Sequence, residues 1–298
     1  MVVLEIKGLT KSFGDKNVLR GLDLKVPEGS IFGFVGRNGA GKTTTMKSVL
    51  GLINADGGEI YVAGERVRYG ETLTNRYIGY LPDVPEFYSF MTAREYLSLC
   101  GESLGMNKED IKARSEELLD LVGLADEKHR IKGYSRGMKQ RLGIAQALLC
   151  RPKLLICDEP TSALDPIGRK EILDVLLSVR EQTTVLFSTH ILSDVERICT
   201  DVALLDDGVI AMQGTIDEIK HLHSKEEFVL ELMNPEDAAR ILSEFKNVKD
   251  EGEALTFTGG DKQMNELFGF VSENGIAVRR IERSGLSLEA LFMEVTGR

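Results

Sequence analysis

A glycine-rich segment between a predicted strand and a predicted helix places the strongest constraint on how this chain folds. Residues 36–43 read Gly-Arg-Asn-Gly-Ala-Gly-Lys-Thr, which fits the pattern Gly-x-x-x-x-Gly-Lys-Ser/Thr. The apolar run Ile31 to Val35 precedes the segment, and a helix is predicted from Lys42 to Leu50. Such a loop surrounds a phosphate with backbone N–H groups at the start of a helix, so the sequence predicts an α/β chain that binds a nucleotide. A glycine turn that only begins a helix is the alternative, and the strand-loop-helix order argues against it.

This loop supplies most of the candidate nucleotide-binding residues. Lys42 adds a positive charge for the phosphates, and the hydroxyl of Thr43 is suited to bind Mg²⁺. The candidates in the segment are Gly36, Asn38, Gly39, Ala40, Gly41, Lys42, Thr43 and Thr44. We therefore expect ATP and Mg²⁺ as the ligands.

A second motif ends the apolar run Leu154 to Cys157 with two adjacent carboxylates, Asp158 and Glu159. Ligands sit at the carboxyl ends of parallel strands in α/β sheets. Asp158 is therefore expected to hold Mg²⁺, directly or through water, and Glu159 to orient or deprotonate the attacking water. An apolar run that ends in Asp-Glu is by itself usually a strand entering a turn. Its combination with the glycine loop in one chain predicts ATP hydrolysis.

Composition limits the remaining classes of function. The chain has 298 residues, of which 42% are hydrophobic and 28% charged, as in ordinary globular proteins. A formal net charge of -10 opposes a general electrostatic grip on nucleic acid, so no nucleic-acid partner is expected. The apolar runs are far shorter than the ~18 to 20 residues that cross a bilayer, and the N-terminus lacks a secretory signal. We expect a cytoplasmic protein whose four widely spaced cysteines pack in the core rather than form disulfides or bind metal.

The patterns along the chain predict two domains, at residues 1–220 and 226–298. Strands and helices alternate in the later part of the first domain, which predicts parallel strands covered on both faces. Apolar residues recur at helical spacing within about residues 88–150, which indicates an inserted helical subdomain. The second domain alternates short strands and helices without a catalytic constellation and is predicted to be a small α+β domain.

The segment Tyr134 to Arg141 resembles the signature of the nucleotide-binding subunits of ATP-binding cassette (ABC) transporters, commonly Leu-Ser-Gly-Gly-Gln. The resemblance covers about residues 2–220. It implies a P-loop ATPase core with a mixed sheet, an antiparallel β subdomain and the helical subdomain. It also implies a dimer in which Ser135 and Gly137 of one subunit close over the γ-phosphate held by the other. Ser135 is equally a good N-cap for the following helix, and both interpretations can hold together.

Three further elements follow the order found in that family. Residues 162–165, which end in Asp165, resemble the loop that crosses the dimer interface, although they also suit a helix cap before Pro166. His190 resembles the switch histidine that hydrogen-bonds the γ-phosphate and the attacking water. Phe13 matches the aromatic residue that stacks on adenine, with plain packing as the alternative.

Two positions depart from the family's pattern. Asp83 stands where the family most often has a glutamine that links the Mg²⁺ site to the membrane partner, and an ionised Asp lacks an amide donor. We include Asp83 as a candidate metal-site residue. Arg136 and Met138 replace a glycine and a glutamine of the signature, while Ser135 and Gly137 are retained. The segment 134–141 also resembles the branch that exports drugs, antibiotics or sodium through separate membrane chains, and residues 286–297 resemble the end of that branch's accessory domain.

The resemblance implies a subunit that drives transport, and in this branch export, by a separately encoded polytopic permease. It would act as a homodimer or heterodimer of nucleotide-binding subunits, held at the inner face of the cell membrane by its partner. The alternative is an ABC ATPase that acts on ribosomes or DNA. Against this alternative, the chain has one cassette, no heptad run and an acidic balance. A nucleotide-binding regulator without turnover is disfavoured because both Glu159 and His190 are present.

Overall fold

The computed structural model describes residues 1–71, 73–223, 227–252, 254–283 and 288–296. The chain forms two compact units, Met1–Ile216 and Asp217–Arg298. Its strands are β1 (Val2–Phe13), β2 (Lys16–Pro27), β3 (Ile31–Gly36), β4 (Gly57–Val62), β5 (Glu65–Arg66), β6 (Ile78–Leu81), β7 (Leu154–Asp158), β8 (Thr184–Thr189), β9 (Asp201–Asp206), β10 (Val209–Thr215), β11 (Glu227–Leu232), β12 (Val248–Asp250), β13 (Leu255–Thr258) and β14 (Val278–Arg283). Its α-helices are α1 (Lys42–Val49), α2 (Ala93–Ser103), α3 (Lys108–Leu121), α4 (Arg136–Leu148), α5 (Pro166–Ser178), α6 (Leu192–Ile198), α7 (Ile216–His223), α8 (Ala238–Glu244), α9 (Asp261–Glu273) and α10 (Leu288–Thr296).

A six-stranded sheet in the order β10-β9-β3-β8-β7-β6 forms the centre of the first unit. The neighbours from β9 to β6 pair in parallel, and β10 joins the edge antiparallel to β9. Every residue of β3, β7 and β8 is buried, which explains why these strands read as continuous apolar runs. The predicted α/β class with a mixed sheet is confirmed. Because the strands are parallel, the residues that follow β3, β6, β7 and β8 all emerge at one edge.

A second sheet, in the order β2-β1-β4-β5, is antiparallel throughout. It shares one hydrophobic core with the central sheet: Ile6 and Leu24 belong to the same buried cluster as Phe34 and Ile156. Alternation of buried and exposed residues along β1 and β2 gives this sheet one core face and one solvent face. It is the antiparallel β subdomain that the resemblance implied.

Helices α2, α3 and α4 form the inserted helical subdomain. Thr92 and Glu95 make a capping box at the start of α2, and the side chain of Asn107 accepts a hydrogen bond of 2.8 Å from the backbone N–H of Asp110 at the start of α3. Arg114, which is 5% exposed, donates a 3.0 Å hydrogen bond to the carbonyl of Leu148 and so joins α3 to α4. None of the helices in the described parts of the chain combines the length and the apolarity needed to span a bilayer.

The second unit contains an antiparallel sheet in the order β12-β13-β11-β14. The sequence pattern predicts a helix that Asn234 and Pro235 begin and that reaches Phe245, whereas the structure has a 3₁₀ turn at Pro235–Asp237 before α8. The pattern also predicts a last strand from Ile276 to Ile281, but this strand begins at Val278, because the N–H of Ile276 still bonds to the carbonyl of Val271 at the end of α9. Ser287 is predicted to cap the last helix, but it lies outside the described residues, as do residues 286 and 297 of the segment that resembles the accessory domain.

The prediction that every cysteine packs in the core is wrong for Cys150, which is exposed. Cys150 follows the buried Leu148 and Leu149 at the end of α4, where the chain turns toward solvent before Pro152. An apolar stretch in the sequence does not distinguish its last buried residue from the first exposed one. Cys157, near the end of β7, is fully buried as predicted.

Candidate functional site

The glycine loop connects the end of β3 to the start of α1. Gly36 passes so close to β9 that a Cβ at this position would lie 2.7 Å from the backbone oxygen of Leu205. Gly39 and Gly41 have φ angles of 84° and 115°, which L-residues with side chains rarely adopt. Gly41 is the N-cap of α1, so the loop delivers the positive end of that helix to the edge of the sheet. This arrangement favours an anion at the loop.

The loop's other candidate residues differ in their exposure. Asn38 and Thr43 are exposed, while Ala40 and Thr44 are partly buried. The N–H of Ala40 donates to the carbonyl of Arg37 over 3.1 Å and tightens the turn. The carbonyl of Thr44 accepts a 2.9 Å bond from Ser48 within α1. The loop therefore presents its middle to solvent and fixes its end in the helix.

Lys42 lies inside the loop with only 6% of its surface exposed. Its ammonium donates a 2.6 Å hydrogen bond to the carbonyl of Gly36. It also forms an ion pair with Oε1 of Glu159, 3.1 Å away. A buried ammonium needs such a counter-charge. Lys42 thus connects the glycine loop to the carboxylate that follows β7.

Asp158 is held by hydroxyl groups from two neighbouring elements. Thr43 Oγ1 donates to Asp158 Oδ2 over 2.8 Å, and Ser188 Oγ donates to Asp158 Oδ1 over 2.6 Å. The parallel register of β7 and β8 pairs Asp158 directly with Ser188. The carboxylate is 3% exposed, so these bonds compensate for its loss of water. Sequence reasoning missed Ser188, although a serine near the end of an otherwise apolar strand was a signal for it.

Glu159 has an unusual backbone conformation and two charged or polar partners. Its φ of 50° lies in the left-handed region, which for a residue with a side chain costs on the order of 1–3 kcal/mol. Its N–H donates to Ser188 Oγ over 3.0 Å, which helps to hold that conformation. Oε2 lies 2.9 Å from Nδ1 of His190, and Oε1 lies 3.1 Å from the ammonium of Lys42. The carboxylate of Glu159 is therefore held between His190 and Lys42.

The oxygen atoms at this edge fit Mg²⁺. A hydroxyl and a carboxylate, from Thr43 and Asp158, already meet there, and Mg²⁺ prefers a few hard oxygen ligands together with phosphates and water. The described residues contain no group of three or more His, Cys, Asp or Glu that could hold a metal by itself. The donor set thus suits a metal that arrives with a nucleotide.

Asp83, which follows β6, has different partners. Its Oδ1 accepts hydrogen bonds from Ser162 Oγ over 2.7 Å and from Arg136 Nη2 over 3.3 Å. Its backbone oxygen accepts a 2.6 Å bond from Nε2 of Gln140, a fully buried residue in α4. The structure therefore places Asp83 against the start of α4 and the loop after β7, while Thr43 and Asp158 meet each other.

The signature residues lie at the start of α4. Ser135 is its N-cap and accepts a 3.2 Å hydrogen bond from the N–H of Met138. The pattern predicts a helix from Lys139 to Leu149, and α4 begins three residues earlier, at Arg136. A Cβ at Gly137 would approach other atoms no closer than 4.0 Å, so this surface is open. Asp165 likewise caps α5, accepting a 2.7 Å bond from the N–H of Gly168. The capping interpretations of Ser135 and Asp165 are confirmed.

Phe13 lies at the end of β1 with 50% of its surface exposed. The ammonium of Lys11 is 5.2 Å from the centre of its ring. The ring is therefore half-exposed rather than buried in the core, and Lys11 lies over one of its faces.

A cavity of about 450 Å³ opens beside Asp83. Its walls come from the segment after β6, the 3₁₀ turn at Ile131–Gly133 and the start of α4. Apolar side chains (Val84, Pro85, Phe87 and Ile131) lie there beside the charged Glu86, Arg136 and Lys139. Tyr88 and Phe90, in the same segment, are 55% and 62% exposed. Exposed aromatic side chains beside a partly apolar cavity are typical of a protein-binding surface.

Two family profiles match separate parts of the chain. The profile described as ABC transporter matches residues 19–162. The profile described as the C-terminal domain of DrrA1-3-like ATP-binding proteins matches residues 214–296. The first match includes the glycine loop, the signature segment and the Asp158–Glu159 pair.

Relatives of similar length extend the match to nearly the whole chain. An uncharacterized ABC transporter ATP-binding protein, YxlF, from Bacillus subtilis (strain 168) is 38% identical over 98% of this chain and 99% of its own. The bacitracin transport ATP-binding protein BcrA from Bacillus licheniformis is 37% identical over 99% of this chain and 97% of its own. A solved structure of the ATP binding subunit of an ABC transporter has a TM-score of 0.65 at 32% identity, covering 74% of this chain and 92% of that one.

Proposed function

Because this chain belongs to the ATP-binding proteins of the ABC transporter family, we propose that it powers export through a separately encoded membrane permease. The chain is an ATP-binding subunit and an ATPase. The alternative of a cassette that acts on ribosomes or DNA is not supported by its relatives, which are transport proteins. The main support for ATP hydrolysis at this site is that Lys42, Asp158 and Glu159 lie together at the edge of the central sheet.

Binding of ATP would use the loop between β3 and α1. Backbone N–H groups of residues 39–43 and the ammonium of Lys42 would bind the phosphates, and Phe13 would stack on the adenine. When bound, Mg²⁺ would neutralise part of the phosphate charge, with Thr43 and Asp158 as its protein ligands. Lys42 would then exchange its bond to the Gly36 carbonyl for one to a phosphate oxygen.

Hydrolysis would depend on Glu159 and His190. Oε1 of Glu159 lies 3.1 Å from the Lys42 ammonium; once that ammonium turns to a phosphate oxygen, Oε1 would orient the attacking water and accept a proton from it. His190 holds Oε2 through Nδ1 and fixes the direction of the carboxylate. The strained φ of Glu159 aims the side chain back toward Lys42 and the phosphate loop.

Two cassettes would share each ATP. Ser135 and Gly137 lie at the start of a 13-residue helix on an open surface, and a helix start of this kind favours an anion. We propose that this helix start closes over the γ-phosphate bound to a second subunit, identical or related. Residues 1–220 would form the domain that binds ATP and dimerises, and residues 226–298 would form an accessory domain.

The permease would dock at the cavity beside Asp83. Phe87 lines this cavity, and Tyr88 and Phe90 are exposed next to it. The subunit would then lie at the cytoplasmic face of the membrane through its partner. The test is affinity purification of the tagged full chain from solubilised membranes. Recovery of one polytopic protein, lost in the Phe90→Glu variant but kept in an Asp126→Asn control, is expected; recovery of ribosomes or DNA alone would contradict the proposal.

Peptide antibiotics are the class of substrate to test first, since BcrA, 37% identical, is named for bacitracin transport. Deletion of the gene should lower the bacitracin concentration that stops growth, and the wild-type chain, but not Glu159→Gln, should restore it. Unchanged resistance on deletion, where the tagged wild-type chain does recover its permease, would rule out this substrate without affecting the ATPase assignment.

A further inference from the structure

We infer that Asp83 and Arg136 form a charge-compensating pair, in which Arg136 cancels a negative charge that would otherwise repel ATP from the start of α4. The inference rests on the proposed ATP sandwich, because only a second subunit's γ-phosphate would approach this helix start. It assigns a positioning role in nucleotide affinity to two residues at which the sequence departs from the common pattern.

Three segments converge on one oxygen atom of Asp83. Oδ1 accepts bonds from Ser162 Oγ, 2.7 Å away, and from Arg136 Nη2, 3.3 Å away. The same nitrogen of Arg136 also donates to Ser162 Oγ over 3.3 Å. The segment after β6, the start of α4 and the loop after β7 are thus joined by three side chains, Asp83, Arg136 and Ser162, each hydrogen-bonded to the other two.

The backbone keeps Asp83 at this place. Gln140, fully buried one turn into α4, donates a 2.6 Å hydrogen bond to the backbone oxygen of Asp83. The side chain can rotate, but its carboxylate cannot leave the neighbourhood of the helix start. A negative charge is therefore fixed beside a site where the helix favours an anion.

The positive charge of Arg136 offsets the negative charge of Asp83 at the start of α4. It is the first residue of α4, directly after the N-cap Ser135, so its charge lies at the position proposed to receive the γ-phosphate. The side chains of Arg136 and Asp83 are 43% and 47% exposed, and surface ion pairs of this kind add little to folding stability. The effect of the pair is therefore on the local potential rather than on the fold.

Compensation and simple bracing predict different results when the charges are removed singly. If the pair only braces the loops, neutralising either residue weakens the same contact and shifts nucleotide affinity in the same direction. If the pair compensates charge, Asp83→Asn leaves an excess positive charge and strengthens ATP-dependent dimerisation. Arg136→Gln leaves an excess negative charge and weakens it. The sign of the effect therefore separates the two interpretations.

The experiment measures the ATP concentration for half-maximal dimerisation of the full chain by analytical ultracentrifugation, in the Glu159→Gln background. One exposed charge near a bound phosphate changes affinity on the order of threefold to tenfold at low ionic strength. Asp83→Asn should lower the half-maximal concentration by about threefold, and Arg136→Gln should raise it by about threefold or more. The double variant should return to within about twofold of the parent, and 0.5 M salt should reduce all these differences.

Arg151→Gln is the matched control. It removes another exposed arginine, paired with Glu117 over 3.4 Å, and should leave the half-maximal concentration unchanged. Shifts of the two single variants in the same direction, or no shift in either, would overturn the inference alone. If the Glu159→Gln parent forms no dimer with ATP, the proposed function fails and the inference fails with it.

Discussion

Ser188 donates a 2.6 Å hydrogen bond to the carboxylate of Asp158, its direct neighbour across the parallel strands β7 and β8. The same hydroxyl oxygen accepts a bond from the N–H of Glu159 over 3.0 Å. One buried serine therefore orients both the candidate metal ligand and the candidate base. It links the end of β8, which leads to His190, to the end of β7.

Replacement of Ser188 by Ala should reduce the ATPase rate by about tenfold, because Asp158 Oδ1 loses its donor and the strained N–H of Glu159 loses one acceptor. The free energy of unfolding should fall by about 1–2 kcal/mol for the same reason. Steady-state hydrolysis and urea unfolding measure the two effects. Ser178→Ala, which removes a 2.7 Å bond to the carbonyl of Val175, should leave hydrolysis unchanged. An equal loss of activity in both variants would argue against the role of Ser188.

Replacement of Lys42 by Ala should weaken binding of a fluorescent ATP analogue by about 100-fold, since a buried charge that faces the phosphates is lost. Titration at fixed Mg²⁺ measures the dissociation constant. Lys47→Ala removes an exposed lysine from the last turn of the same helix and serves as the control. Unaltered binding by the Lys42 variant would place the phosphates elsewhere.

Arg114 should be essential for the stability of the helical subdomain. Its buried guanidinium donates to Leu148 and pairs with Glu117, and its removal leaves the carbonyl of Leu148 without that donor. Arg114→Ala should lower the free energy of unfolding by about 3 kcal/mol, whereas Arg151→Gln, at an exposed position, should change it by less than about 0.5 kcal/mol. Chemical denaturation of both variants tests this difference.

The free energy of unfolding should fall as the pH rises above 10, because two tyrosines have a higher pKa in the folded chain than in the unfolded chain. Burial, aided by the charge of Asp158, raises the pKa of Tyr80 to about 12, and burial does the same for Tyr96. The tyrosines of the unfolded chain lose their protons near pH 10. The stabilisation that the raised pKa values give the folded chain is therefore complete below that pH and is lost between about 10 and 12. Thermal unfolding of Tyr80→Phe should depend less on pH in this window than that of the wild type. An identical pH dependence would contradict the burial argument.

The sequence predicted the parts of the site that depend on local order. The glycine loop needs a strand before it and a helix after it, and both lie within a few residues of Lys42. Asp158 and Glu159 end an apolar run, so their place at the edge of a buried strand followed from the pattern. Parallel pairing could also be predicted, since alternating strands and helices leave few other arrangements.

Contacts between distant segments could not be predicted in this way. Ser188 meets Asp158 because of a register between two strands, and a single sequence does not fix that register. Asp83 and Arg136 are 53 residues apart and meet because Gln140 holds the segment after β6 against α4. Exposure at the end of a helix, as at Cys150, likewise depends on what packs around it.

The composite ATP site is the central claim, and sedimentation of the Glu159→Gln variant tests it most directly. With ATP this variant should sediment as a dimer, and without ATP as a monomer. A second substitution, Ser135→Arg, should return it to the monomer while each chain still binds ATP through its own loop. A Glu159→Gln variant that binds ATP and stays monomeric, or that hydrolyses ATP at the normal rate, would contradict the account.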